Sequence, residues 1–430
     1  LGAALDAEMI EIWTDVDGVL TTDPRKVKKA FSIKNLTYVE AMEMSHFGAK
    51  VIYPPTILPA MSRNIPIRIK NTFNPDFEGT FISSRAASKD YLIKGISTME
   101  NINLINLNGG GMIGVPGISS RLFGALARRK ISIILITQAS SEHSICFAIN
   151  PADSSGAIEV IREEFQQEIE SGKIEQPVAE ENLSIIAIIG EGMRHTPGIS
   201  GNLFSSLGKN GINVVAIAQG SSELNLSVVI KEVDISKALN ILHESFFLSD
   251  VKTVNMFMVG VGLIGGTLLN QISSQREELR EKQKLKINVI GIANTRKMLF
   301  EEDGIALENW KDLLEDSDQP SSLQAFVERM KTLNLPNSVF VDCTSSAEVI
   351  KFYKGILSGS ISVATPNKLA GSGPFSYYKE LLDTALAHGV KFLYETNVGA
   401  GLPVLTTLRD LKFSGDRILK SKNHINIRAA

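Results

Sequence analysis

The feature that most constrains the fold is a segment that occurs twice, 81 positions apart. Residues 116–119 (Pro-Gly-Ile-Ser) recur at 197–200, and two similar segments, Gln-Ala-Ser-Ser-Glu and Gln-Gly-Ser-Ser-Glu, begin at Gln138 and Gln219. Two copies are too few for a solenoid, so the repeat predicts the tandem duplication of one small domain. Four further pairs share the spacing: Leu122/Leu203, Phe123/Phe204, Leu126/Leu207 and Ile131/Ile212.

Each copy has the same order of patterns, and we assign the copies to residues 95–170 and 182–250. An apolar run leads into a glycine-rich turn and then into a helix with Leu and Phe at helical spacing. Two β-branched runs and a second amphipathic helix follow. This βαββα order predicts an antiparallel sheet with helices on one face.

Residues 252–430 have the pattern of an α/β nucleotide-binding domain. A buried strand at 254–259 is followed by Gly260, Gly262 and Gly265, a G-x-G-x-x-G loop that opens a helix. The first glycine permits the turn, the second lets backbone approach a pyrophosphate, and the third allows close helix–strand packing. Later strands are predicted at 287–293, 339–342 and 361–364.

Three segments that follow these strands indicate which ligands the domain binds. Residues 293–297 offer no carboxylate to a ribose 2′-hydroxyl, and Arg296 favours the 2′-phosphate of NADP, unless it is a solvated loop residue. Thr344 and Lys368 follow strands at whose ends ligands bind, although most lysines are simply surface residues. The glycine-rich residues 395–402 are either a monovalent-cation site or a plain loop.

Residues 1–85 carry a weaker signal. A strand at 10–14 is followed by Asp15 and Asp17, and then by Asp23 and Arg25. Carboxylates suit Mg²⁺ and arginines suit phosphates, but a solvated turn explains the cluster equally well. Apolar periodicity predicts a helix over 35–48, and residues 1–5 have the character of the middle of a helix.

Composition excludes several classes. The 430 residues have a net charge of -3 and are 43% hydrophobic and 21% charged, which argues against disorder and against a nucleic-acid or anionic-membrane partner. No apolar run reaches the roughly 18 residues that span a bilayer. Cys146 and Cys343 form no CxxC and favour a reducing cytoplasm. HExxH and G-x-S-x-G are absent, so zinc chemistry and a serine hydrolase are unsupported.

Together these residues resemble the threonine-sensitive type of bifunctional aspartokinase/homoserine dehydrogenases, from late in the kinase domain into the dehydrogenase. Residues 13–18 (Trp-Thr-Asp-Val-Asp-Gly), 23–25 (Asp-Pro-Arg) and 47–51 (Phe-Gly-Ala-Lys-Val) are similar to half of a kinase nucleotide site. Leu20 stands where many members have a Tyr. The resemblance implies ATP, bound with Mg²⁺, at Thr14, Asp15, Arg25, Lys50 and Val51.

The duplicated unit is similar to the tandem ACT regulatory domains of this family. The resemblance implies that Gln138 and Gln219 sense threonine, because a glutamine amide offers both a donor and an acceptor to an amino acid. Without the resemblance, two glutamines that cap strand ends would be the simpler interpretation.

Residues 252–430 are similar to the cofactor-binding part of homoserine dehydrogenase, with Thr-Pro-Asn-Lys at 365–368. The resemblance implies that Lys368 assists proton movement while hydride passes between the nicotinamide and the aspartate semialdehyde carbon. It also implies a sodium ion at Glu395, Val398, Ala400 and Leu402. The implied NADP(H) contacts are Gly260, Gly262, Leu263, Ile264, Gly265, Ala293, Asn294, Thr295, Arg296, Thr344, Ser345 and Lys368.

The predicted architecture is therefore α/β, with the C-terminal part of an amino-acid-kinase fold (1–85), two ACT domains and a Rossmann domain. The resemblance implies aspartate kinase and homoserine dehydrogenase activities under threonine feedback, in a cytoplasmic homo-oligomer, a dimer or a tetramer. Family motifs expected before and after this chain are missing, which predicts truncation at both ends and no activity of the chain alone. Two alternatives are a non-catalytic fragment that binds threonine and NADP, and a regulated dehydrogenase with residues 1–85 as scaffold.

Overall fold

The structure is a computed structural model that describes residues 1–47, 53–85, 91–138, 143–247, 252–399 and 401–417. The chain divides into two compact units. The first contains Leu1–Leu207 and Ile212–Phe247, and the second contains Gly208–Gly211 and Leu248–Ala430. Strands and helices mix in both units, which confirms the predicted α/β class. Among the described residues, no helix combines the length and the apolar character that a membrane span needs.

The first part of unit one is a mixed four-stranded sheet with two helices. Its strands lie in the order β1-β3-β4-β2, with β1 parallel to β3 and β2 parallel to β4. The carboxyl ends of β1 and β3 share one edge, so the loops that follow them lie side by side. The elements are β1 (Ile10–Thr14), β2 (Asn35–Thr37), α1 (Tyr38–His46), α2 (Pro54–Ser62), β3 (Ile67–Asn71) and β4 (Thr80–Ser83).

Two expectations for this part are wrong in detail. The helix predicted from residue 35 begins only at Tyr38, because Thr37 caps it and residues 35–37 form β2. The Thr37 hydroxyl accepts from the Glu40 N–H (3.2 Å) and the Glu40 carboxylate accepts from the Thr37 N–H (2.9 Å), which is a capping box. Residues 2–6 form turns and no helix, and Asp6, with φ +48°, ends them.

The duplicated segment forms one six-stranded antiparallel sheet, in the order β6-β7-β5-β8-β10-β9. Both copies follow the predicted βαββα order, except that Phe165 divides the last helix of the first copy into two. The elements are β5 (Gly95–Asn108), α3 (Ile118–Arg128), β6 (Ile133–Gln138), β7 (Ser144–Ile149), α4 (Ser154–Glu164), α5 (Gln166–Glu170), β8 (Val178–Ile189), α6 (Ile199–Lys209), β9 (Ala216–Gln219), β10 (Asn225–Lys231) and α7 (Ile235–Phe247).

The two copies share their long strands. Residues 95–99 of β5 pair with 185–189 at the end of β8, whereas 102–106 of β5 pair with the beginning of β8. The register shifts near Asn101, whose φ is +54°, and near Asn182, whose φ is +58°. These two asparagines are also 81 positions apart, and Asn tolerates this left-handed conformation better than most residues. Each copy therefore completes its sheet with part of the other copy's strand.

Alternate residues of these strands face two different cores. Ile105, Phe147 and Ile149 pack with the helices of the first copy. Their neighbours Leu104 and Ala148 belong instead to a core that contains residues of both copies and of the kinase-like part. This shared core joins residues 1–85 to the duplicated segment: Leu36, Met44, Ile67, Ile69, Ile185, Ile189 and Val229 are among its members.

Unit two is a six-stranded sheet in the order β13-β12-β11-β14-β15-β16, parallel except for β13. Helices cover both faces: Phe257 and Phe340 pack on one side, and Met256 and Met258 on the other. The elements are β11 (Lys252–Val259), α8 (Leu263–Lys282), β12 (Leu285–Ala293), β13 (Met298–Phe300), α9 (Trp310–Asp316), α10 (Leu323–Leu333), β14 (Ser338–Asp342), α11 (Ala347–Ile350), α12 (Tyr353–Ser358), β15 (Ser362–Ala364), α13 (Leu369–Ser372), α14 (Phe375–Ala387), β16 (Phe392–Leu393) and α15 (Val404–Phe413).

Candidate functional site

The glycine loop between β11 and α8 gives each of its three glycines a different environment. Gly260 has φ +87°, and a Cβ there would lie 2.7–2.9 Å from atoms of Cys343 and Thr344. A Cβ on Gly265 would lie 2.2 Å from the Gly260 carbonyl oxygen, whereas a Cβ on Gly262 would meet nothing within 4 Å. Gly260 and Gly265 therefore serve close packing, and Gly262 keeps the approach to the helix open.

The beginning of α8 is accessible. Leu263 and Ile264, its first two residues, are 88% and 59% exposed. The free N–H groups of a first helical turn, together with the helix dipole, favour an anion. This end of the 20-residue helix suits the pyrophosphate of a dinucleotide.

The loop after β12 lies beside the glycine loop, since the Gly260 N–H donates to the Ala293 carbonyl (2.9 Å). The Asn294 side chain accepts from the N–H groups of Arg296 and Lys297, each at 2.7 Å, and this turn shapes the loop. The side chains of Thr295 and Arg296 are exposed. Arg296 is therefore positioned at the same sheet edge as the glycines, with a solvent-accessible guanidinium.

A buried polar cluster lies under the loops that follow β14 and β15. Asp342 is fully buried; its Oδ1 accepts from the Thr344 N–H (2.7 Å), and its Oδ2 accepts from the Tyr353 hydroxyl (2.6 Å) and the Asn367 amide (3.0 Å). The Thr365 hydroxyl donates to the Asp342 carbonyl (3.0 Å). Burial and the nearby Asp342 carboxylate raise the pKa of Tyr353 well above its ordinary value, so it stays a donor.

This cluster holds the two loops that carry Thr344 and Lys368. Asn367 is buried, whereas Lys368, the next residue, is exposed at the beginning of α13. Burial raises the pKa of the neighbouring Cys343 thiol to about 11, so the thiol remains protonated near neutrality. Sequence reasoning missed Asp342 and Tyr353, and it noted Asn367 only as part of the segment 365–368. The available signal was a carboxylate that ends the buried apolar strand β14.

Part of the predicted sodium site, residues 395–402, instead holds the beginning of α15 in place. The Glu395 carboxylate accepts from the N–H groups of Leu405 (2.8 Å) and Thr406 (2.9 Å) and from the Thr406 hydroxyl (2.5 Å). The Thr406 hydroxyl hydrogen bond is the largest cause of the lowered pKa of Glu395. The Leu402 carbonyl accepts from the Val404 N–H (2.8 Å). These bonds cap α15, and the remaining predicted ligands are Val398 and Ala400, the latter outside the described residues.

The kinase-like loops gather polar groups at the carboxyl edge of β1 and β3. The Thr14 hydroxyl donates to Asp15 (3.0 Å). Asp17 accepts from Asn71 (2.9 Å), the last residue of β3, and from Asn74 (3.2 Å) in the loop that follows. The predicted residues Lys50 and Val51 lie outside the described residues. Within the described ranges, no three His, Cys, Asp or Glu side chains form a cluster suited to a metal ion.

Arg25 is already paired with a carboxylate. Its guanidinium contacts Asp23 at 2.7 Å, and the Arg25 hydrogen bond is the main cause of the lowered pKa of Asp23. The side chain of Arg25 is nevertheless 85% exposed, so it remains accessible to a phosphate.

Gln138 and Gln219 line one groove of about 440 Å³. They end β6 and β9, the two edge strands of the six-stranded sheet, and the groove lies between these edges. Sequence analysis placed the glutamines at equivalent repeat positions but did not predict that they face one cavity. The other polar side chains on its walls are Thr137, Asn225 and Ser227, and Phe47 contributes an aromatic ring.

Comparisons with known proteins divide the chain in the same order. The chain matches the amino acid kinase family over residues 1–71, the ACT domain over 105–165 and 186–246, and the homoserine dehydrogenase NAD binding domain over 260–395. The match over residues 260–395 indicates a nucleotide cofactor for the last part of the chain.

Several relatives match nearly the whole chain, and two of them show how much of each protein is covered. Bifunctional aspartokinase/homoserine dehydrogenase 1 of Arabidopsis thaliana, a chloroplastic protein, is 42% identical over 98% of this chain and 47% of the relative. The bifunctional aspartokinase/homoserine dehydrogenase of Haemophilus influenzae is 44% identical over 97% of this chain and 51% of the relative. The chain thus spans about half the length of these relatives.

A solved structure supports the fold of unit one. The crystal structure of aspartate kinase from Clostridium acetobutylicum, described as an allosteric enzyme, has a TM-score of 0.52 and 29% identity. The match covers 57% of this chain and 56% of that one. With the matches to relatives and domains, this likeness shows that the chain belongs to the family of bifunctional aspartokinase/homoserine dehydrogenases.

Proposed function

We propose that this chain supplies the dinucleotide site of an NADP-dependent homoserine dehydrogenase, part of the ATP site of an aspartate kinase, and a threonine sensor that regulates them. The whole protein would convert ATP and L-aspartate to 4-phospho-L-aspartate, and L-aspartate 4-semialdehyde and NADPH to L-homoserine. The observation that carries the proposal is the convergence of the glycine loop, the Arg296 loop and the Thr344 loop at one sheet edge.

In the dehydrogenase part, NADPH supplies a hydride when bound. The first turn of α8 would hold its pyrophosphate, and Arg296 would pair with its 2′-phosphate. Thr344 and Ser345 would line the cofactor side of the crevice, and Lys368 would donate a proton to the semialdehyde oxygen. The Asp342 cluster fixes both loops in place.

In the kinase part, Thr14 and Asp15 contact ATP, and Arg25 neutralises phosphate charge. Lys50 and Val51 complete the contacts to the nucleotide. Mg²⁺ accompanies the nucleotide, since hard oxygen ligands suit it. The polar loops after β1 and β3 support this assignment, because they occupy the sheet edge where such ligands bind.

In the regulatory part, the groove between Gln138 and Gln219 binds threonine. Among its described lining residues none is charged, which suits a zwitterion with an uncharged side chain better than a cationic amino acid. The edge strands β6 and β9 have backbone groups that no neighbouring strand pairs, and the two amides add further donors and acceptors.

The proposed function also requires further protein sequence, an oligomeric state and a cellular location. The chain alone completes neither reaction, because it covers about half of its relatives' length. The regulatory sheet edges support a homo-oligomer, a dimer or tetramer, and the unpaired cysteines support a cytoplasmic location. A sodium ion at residues 395–402 would have to share Glu395 with the N–H groups of α15.

Calorimetric titration of the chain with NADP⁺ and NAD⁺ tests the dinucleotide assignment. We expect NADP⁺ to bind at least tenfold more tightly, and Arg296→Ala to remove most of that preference. Arg276→Ala is the matched control: Arg276 is an exposed residue of α8, about 20 Å along the helix from Leu263. Equal affinities for the two cofactors in the unaltered chain would contradict the NADP assignment.

A further inference from the structure

The groove contains a buried hydroxyl that has no partner. Ser227, on β10, is 2% exposed, and its Oγ makes no hydrogen bond within the described part of the chain. Leaving a buried polar group unsatisfied costs about 1–3 kcal/mol. Because Ser227 lines the groove, a ligand there would provide the missing partner.

Two residues away on the same strand, Asn225 also lines the groove. Residues at i and i+2 of a strand share a face, so the two side chains stand next to each other. The Asn225 amide donates to the carboxylate of Glu43 on α1 (2.5 Å) and retains a second N–H and its oxygen. At the equivalent positions, 81 residues earlier, the first copy has Ser144 and Cys146. The polar pair is therefore specific to the second copy.

Besides residues of both copies of the repeat, the groove is lined by one residue of the kinase-like part. Phe47 follows α1 directly, is 6% exposed, and lines the groove. The other end of α1 is attached to the second copy as well: the Glu40 carboxylate accepts from the Glu191 N–H (2.9 Å), and the Thr37 hydroxyl donates to Glu191 (3.1 Å). The helix is thus held at both ends by regulatory residues.

We propose that Ser227, Asn225 and Phe47 are further effector-binding residues, so that a ligand between Gln138 and Gln219 contacts the kinase-like part directly. This inference rests on the proposed amino-acid sensor. Ser227 and Asn225 hydrogen-bond the polar head of the ligand, and Phe47 packs against its aliphatic side chain. Since Phe47 directly follows α1, a ligand that packs against Phe47 contacts the kinase-like part at the end of a single helix.

Titration of the chain with L-threonine tests the inference through a matched pair of variants. Ser227→Ala removes an unsatisfied hydroxyl, so it should preserve the folded state while weakening threonine binding at least fivefold. Ser184→Ala is the control, because Ser184 is another fully buried hydroxyl without a partner in the described structure, and it does not line the groove. Phe47→Ala should weaken binding similarly, and Phe47→Leu should restore most of it.

Hydrogen exchange provides the second readout. Saturating threonine should slow amide exchange in residues 43–47 of the unaltered chain, which are the last turn of α1 and the residue that follows it. Unchanged affinity in Ser227→Ala together with unchanged exchange in α1 would overturn the inference while leaving threonine binding intact. If the unaltered chain binds no threonine, the proposed sensor fails and the inference falls with it.

Discussion

At the scale of single residues, function depends on what surrounds each side chain rather than on residue type. Gly260, Gly262 and Gly265 illustrate this. The sequence predicted a different role for each, and the structure distinguishes them by the space available to an added Cβ atom. The Asp342 cluster illustrates the converse. Asp342, Tyr353 and Asn367 are separated in sequence, and no local pattern reveals that they meet, because their contacts are created by packing of parallel strands.

The glycine environments predict opposite results for two alanine substitutions. Gly260→Ala places a Cβ against backbone at φ +87°, so it should destabilise unit two by about 1–3 kcal/mol and abolish NADP⁺ binding. Gly262→Ala meets open space, so it should cost less than about 1 kcal/mol of stability. It should still weaken NADP⁺ binding at least tenfold, because its methyl group occupies the approach to the pyrophosphate.

Chemical unfolding and calorimetry on both variants check this contrast. A Gly260→Ala chain with unaltered stability would contradict the left-handed turn and close backbone packing at residue 260. A Gly262→Ala chain that binds NADP⁺ normally would contradict the assignment of this loop to the pyrophosphate.

At the scale of elements, the repeat predicted the order of strands and helices but not their partners. Hydrophobic periodicity is a local signal, and it gave both copies of the βαββα unit. The exchange between β5 and β8 depends on long-range register, and its only sequence trace is the pair Asn101 and Asn182. Gln138 and Gln219 line one groove for the same reason. Their proximity depends on the long-range pairing that places the edge strands β6 and β9.

The interface between α7 and the kinase-like part predicts a pH dependence. His243 is 1% exposed and hydrogen-bonds the Thr21 hydroxyl through Nε2 (2.9 Å). Burial is the main cause that lowers its pKa from 6.5 to about 4, and Lys29 contributes. Between these values the unfolded chain binds a proton that the folded chain does not, so stability falls as the pH decreases from 6.5 to 4, by up to about 3 kcal/mol.

Urea unfolding at pH 7 and pH 4.5 measures this effect. His243→Gln should reduce the loss of stability at low pH, whereas His143→Gln, at an exposed position, should leave it unchanged. An identical pH dependence in the unaltered chain and in His243→Gln would show that His243 is not the titrating group.

At the scale of the whole molecule, the chain combines a kinase-like part, a duplicated ACT domain and an NAD-binding domain in one polypeptide. The kinase-like part and the duplicated segment share one hydrophobic core, which would give an effector bound to the proposed sensor a physical route to the kinase-like part. An effector that regulates must bind one state of the protein better than another, typically by about 1–3 kcal/mol. The groove between the edge strands is where that difference would arise.

The most direct test is calorimetric titration of the unaltered chain, Gln138→Ala and Gln219→Ala with L-threonine, with L-lysine as the comparison ligand. We predict saturable threonine binding to the unaltered chain, weaker binding in each variant without loss of the folded state, and no comparable binding of lysine. Threonine affinity that is unchanged in both glutamine variants would contradict the account of the sensor.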